Sequence, residues 1–106
     1  MKALKKNSMA QTMKKVYIAG KISGMEEEAF GLFVQAEILL IKKGYEVVNP
    51  MKLPHKHDKT WESYMKECLT EMMKCDLIYP LPNWNESKGA KIEMELAREL
   101  GIKIIM

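Results

Sequence analysis

The feature that most limits what this chain can become is the alternation of short, mostly apolar runs with longer amphipathic stretches. Residues 16–19 (VYIA), 45–48 (YEVV), 76–79 (DLIY) and 102–105 (IKII) are rich in β-branched and aromatic side chains and are bounded by Gly, Asn-Pro or Pro. They read as strands. Between them, residues 26–43, 61–74 and 87–100 carry apolar side chains at helical spacing. Phe30, Phe33, Val34, Ala36, Ile38, Leu40 and Ile41 mark the first such stretch, and Tyr64, Met65, Cys68, Leu69, Met72 and Met73 the second. Gly44 and Gly101 supply helix stops.

Strands that alternate strictly with helices, and that are apolar along most of their length, imply a parallel sheet covered on both faces. The expected fold class is α/β: a flavodoxin-like three-layer sandwich with a four-stranded parallel sheet in the order 2-1-3-4. In such sheets ligands bind beyond the carboxyl ends of the strands, where the strand order reverses. Here that point lies between the first and third strands. The loops that meet there are GKISG (residues 20–24), the segment after residues 76–79, and the turn into the third helix.

A chain of 106 residues supports one core, so residues 15–106 are read as a single domain. Residues 1–14 are read as a disordered basic tail. No apolar run approaches the roughly 18 residues of a membrane span, and the N-terminus lacks the apolar stretch of an export signal. A soluble, cytoplasmic protein is expected, with no membrane partner. The net charge of +3 misleads about nucleic acid. Five of the 17 basic residues fall in the first fifteen positions, which hold no acid, leaving 12 basic against 14 acidic residues from position 16 onward. That scatter is no phosphate-backbone footprint, so no nucleic-acid partner is expected. Cys68 and Cys75 lie seven apart at the end of one predicted helix, where the helical rise sets them about 10 Å apart, too far for a disulfide.

Among the acids of the third helix, spacing singles out Glu93. Glu95 has Lys91 and Arg98 within a turn, which makes it a surface ion-pair residue. The neighbours of Glu93 at three and four residues are Ala90, Leu96 and Ala97, so its carboxylate points toward the sheet. An ionised carboxylate there must be paired, opened to a cleft, or used; the plainer alternative is a first-turn Glu favoured by the helix dipole. Ser87 is an N-cap or part of an anion site, and Gly89 allows close approach to the backbone. The GKISG loop is a phosphate-holding nest or a turn, and it matches neither dinucleotide nor P-loop spacing. Tyr17 is a core residue or a site residue. Trp84 and Trp61 either stack on a base or anchor their loops. His55, His57 and Asp58 give only a weak metal cue, and no metal is expected.

Five ordered motifs, YIAGKISG (17–24), GYEVVNP (44–50), WESY (61–64), CDLIYPLPNW (75–84) and SKGAKIEMELA (87–97), resemble the nucleoside 2-deoxyribosyltransferase superfamily, especially its small bacterial and phage-type members. The resemblance runs from Lys15 to Met106. It implies a nucleoside or nucleotide substrate, no cofactor, and a homo-oligomer. It also implies that Glu93, in an SxGxxxE element with Ser87 and Gly89, is the nucleophile that forms a covalent sugar intermediate, by 2-deoxyribosyl transfer or hydrolysis. Tyr17 would orient Glu93. Gly20, Ser23, Gly24, Ser87 and Gly89 would line the sugar or a 5′-phosphate, Lys21 would add charge there, and Asp76 and Trp84 would join the substrate site. Cys68 stands where relatives place an Asp that handles the proton of the base. A non-catalytic nucleotide-binding module of the same fold is therefore the alternative expectation.

Overall fold

The computed structural model describes residues 13–54 and 60–106. Four strands, β1 (Lys15–Ala19), β2 (Glu46–Val48), β3 (Leu77–Pro80) and β4 (Lys103–Ile104), form one sheet in the order β2-β1-β3-β4. All three pairings are parallel. Three α-helices connect them: α1 (Glu26–Lys42), α2 (Trp61–Met72) and α3 (Lys88–Glu99). The expected architecture and strand order are both present.

Residue alternation along β1 divides the interior in two. Val16 and Ile18 join Ala29, Phe33, Ala36 and Leu40 of α1 on one face. Tyr17 and Ala19 face the other way, into a cluster with Cys68 and Met72 of α2 and Ala90, Met94 and Ala97 of α3. The parity of β1 thus sends Tyr17 to the face that carries α2 and α3.

The details differ from the expectation in informative ways. The third strand begins one residue later than expected, at Leu77, and just before it the Asp76 carboxylate accepts the Lys15 N–H at 2.9 Å. Short 3-10 turns occupy Pro50–Lys52 and Trp84–Glu86, where only loops were expected. The largest departure concerns α1: Phe30, Ile38 and Ile41, counted on its apolar stripe, are about half exposed, and Ala29, Phe33, Ala36 and Leu40 make the contact with the sheet. Among the described residues no helix is long and apolar enough to cross a membrane.

Two glycines sit where a side chain would crowd a neighbour. A Cβ on Gly20 would meet the Leu81 side chain, Cδ1 at 2.6 Å and Cβ at 3.0 Å, so a larger residue here would push Leu81 away from the end of β1. A Cβ on Gly89 would meet Met65 Sδ at 2.9 Å, so glycine brings the start of α3 close to α2.

Candidate active site

A cavity of about 430 Å³ opens beyond the carboxyl ends of β1 and β3, within the roughly 300–1,000 Å³ usual for small-molecule sites. Its walls come from the end of β1 (Gly20, Lys21, Ser23), the inner side of α2 (Trp61, Tyr64, Met65, Cys68) and the start of α3 (Ser87, Lys88, Gly89), with Glu93 and Tyr17 in its depths. This is the strand-order switch point that the sequence indicated.

Glu93 is only 5% exposed, and Tyr17 is fully buried. The Tyr17 hydroxyl donates to Glu93 Oε2 at 2.6 Å across 76 residues of chain, the length of a charge-assisted O–H···O bond. Burial pushes the Glu93 carboxyl up to about 8, while the Tyr17 hydrogen bond pulls it back toward the ionised form. Tyr17 itself is held well above its ordinary value, by burial first and then by the negative charge of Glu93. It therefore stays a phenol and a donor.

Cys68 lies beside this pair. Burial pushes its thiol up to about 11, against hydrogen bonding with Tyr17 and Tyr64. Tyr64 is raised as well, by burial and then by Cys68. Glu93, Tyr17, Cys68 and Tyr64 thus form one contiguous polar group inside the second core cluster.

The rim is charged. Ser87 caps α3, its hydroxyl accepting the Ala90 N–H at 3.0 Å. The N-cap reading of Ser87 therefore holds, in a residue that also lines the cavity. Lys21 donates its backbone N–H to Asn83 Oδ1 at 3.2 Å, and its ammonium lies 3.9 Å from Glu86. The Lys88 ammonium sits 4.4 Å from the centre of the Trp61 ring, joining the first turns of α2 and α3.

Of the residues singled out in the sequence, Tyr17, Gly20, Lys21, Ser23, Cys68, Ser87, Gly89 and Glu93 all line the cavity. Gly24, Asp76 and Trp84 do not. Gly24 lies in the turn beyond it, its N–H directed to Glu26. Asp76 precedes β3 and so stands at the amino end of the sheet, opposite the cavity. Trp84 packs against the core cluster beneath α3. Trp61, Glu62, Tyr64, Met65 and Lys88 were not among the assigned site residues; Trp61, Met65 and Cys68, spaced by four and three, are the signal that α2 turns one stripe toward the cavity. The residues around His55 and His57 lie outside the described ones, and no cluster of metal-ligating side chains occurs among those described.

A family model described as "Domain of unknown function (DUF4406)" matches residues 14–106. No curated protein matches the chain. Among solved structures, a 2-deoxyribosyltransferase from the psychrotolerant bacterium Bacillus psychrosaccharolyticus is similar, with a TM-score of 0.66 and 23% identity over 85% of this chain and 69% of that one. At that identity the likeness is one of fold.

Proposed function

The chain belongs to the DUF4406 family, and from that premise and the cavity we propose that it is an N-glycosidic-bond enzyme, acting on nucleosides or their 5′-monophosphates by 2-deoxyribosyl transfer or hydrolysis. The observation that carries this reading is the buried Glu93 carboxyl, held by Tyr17 at 2.6 Å in the depths of a ligand-sized cavity. The solved 2-deoxyribosyltransferase of like fold gives it a chemical direction. In the ionised form Glu93 attacks the anomeric carbon through an oxocarbenium-like transition state, and the base departs. Water or a second base then takes the sugar from the ester. In this reading Tyr17 fixes the orientation of the carboxylate, and Lys21, Ser23, Ser87 and Gly89, which line the same cavity, hold the sugar or a phosphate.

Free base, followed by chromatography from a panel of deoxynucleosides and their monophosphates, tests this directly. Glu93→Ala should abolish release; a variant as active as the parent would sink the nucleophile assignment. One observation favours a second reading, a non-catalytic nucleotide-binding module: a carboxyl pushed up to about 8 is mostly neutral at pH 7 and a poor nucleophile there. That reading requires ligands to raise the melting temperature with no base released. Self-association belongs to the same proposal, supported by the half-exposed Phe30, Ile38 and Ile41 on α1.

A further inference from the structure

Resting on the glycosidic reading above, a second carboxylate can be assigned. When the bond between C1′ and the base nitrogen breaks, its electron pair goes to the base, and a purine leaves poorly as an anion. A donor that protonates the ring as the bond breaks is worth about 10²–10⁴-fold. Glu93 cannot be that donor, because it must be ionised to attack.

The other proton carriers in the depths of the cavity are poorly suited. Tyr17 spends its proton on Glu93. Burial holds the Cys68 thiol at about 11 and Tyr64 higher still. At the rim, Lys88 lies over the Trp61 ring and Glu86 stands against Lys21 on the side of β1. Glu62 remains. It is exposed on the first turn of α2, lines the cavity next to Trp61, and makes no hydrogen bond or ion pair among the described residues.

Its place at the mouth fits the geometry of a base as leaving group. A retaining glycosidase keeps its two carboxyls about 5–5.5 Å apart because the proton goes to the atom bonded to the anomeric carbon. In a purine the proton goes to a ring nitrogen beyond the glycosidic one, so the acid must stand further from the nucleophile. Glu62 is exposed and Glu93 is buried in the same cavity, which has that sense of separation. Trp61 beside it lines the same cavity and contributes apolar surface against which a base can rest.

We propose that Glu62 is the acid–base carboxyl of this site, the partner of Glu93. In the first step a Glu93 oxygen bonds to C1′, the C1′–N bond breaks toward the base, and the Glu62 carboxyl gives its proton to the base nitrogen. In the second step water attacks C1′, its proton returns to the Glu62 carboxylate, and the Glu93 ester bond breaks to restore the carboxylate.

The test compares two leaving groups on the full chain. 2′-Deoxyguanosine, as nucleoside and as 5′-monophosphate, needs a proton to lose its base; 7-methyl-2′-deoxyguanosine already carries positive charge on the ring and does not. Glu62→Gln should lower kcat/KM for the unmethylated substrates by about 10²-fold or more, yet change the methylated one by less than about threefold. Equal losses on both, or none on either, would overturn the assignment. So would Glu86→Gln showing the selective loss in its place. A parent protein that releases base from neither substrate takes down the glycosidic reading and this one with it.

Discussion

Glu93 ties stability to chemistry with opposite signs. Its carboxyl titrates near 4.5 when exposed and near 8 in the fold. Between those values the folded state keeps a proton that the unfolded state has lost, so this contribution to stability is full below about 4.5, falls as pH rises through the window, and levels off above about 8. The loss is on the order of a few kcal/mol. Glu93→Gln has no proton to lose. Urea unfolding at about pH 5 and pH 8 should therefore show the variant gaining stability relative to the parent as pH rises. A constant difference between the two proteins would mean that burial does not perturb Glu93. Catalysis needs the opposite state, so base release by the parent should climb toward pH 8 as the fold weakens.

At the scale of elements, α3 holds the site because its first turn is fixed. The Ser87 hydroxyl satisfies the Ala90 N–H at 3.0 Å, and Ser87→Ala should cost about 1 kcal/mol, read as a lower urea midpoint. An unchanged midpoint would show that α2 packing alone sets the helix start. Much of this scale was legible in the sequence. The strands announced themselves as apolar runs beside Gly and Pro, and the parallel order followed from alternation. The face of α1 was not legible: with Leu32 and Leu39 also apolar, its hydrophobic residues span more than one side. Spacing alone could not choose among them. Asp76 was misplaced for a different reason, since a residue just before a parallel strand lies at the end of the sheet away from the ligand. That error was avoidable from topology. The choice of Trp61 over Trp84 was not, because it depends on which indole the second core cluster takes up.

At the scale of the whole molecule, the outer side of α1 keeps large apolar side chains about half exposed among the described residues. Phe30, Ile38 and Ile41 run along the outside of α1 for about 16 Å, at 1.5 Å per residue. Two copies related by a twofold axis would cover each other's stripe. Light scattering should give a mass of at least twice the 12.3 kDa chain, and Ile38→Glu should lower it to the monomer. A monomeric parent would leave that stripe to another role. The site, by contrast, needs all of the molecule at once: Tyr17 and Glu93 were each conspicuous in the sequence, but nothing local joined them. Their meeting follows from the parity of β1 and from the face that α3 turns to the sheet. This has a consequence for how such a chain can change over evolutionary time. Deleting or inserting one residue in β1 would bring Val16 or Ile18 beneath Glu93 and send Tyr17 to the α1 side, exchanging the two core faces in the same event. Loops can lengthen freely, but this strand cannot drift by one residue without losing fold and site together, so neutral variation here is confined to substitution.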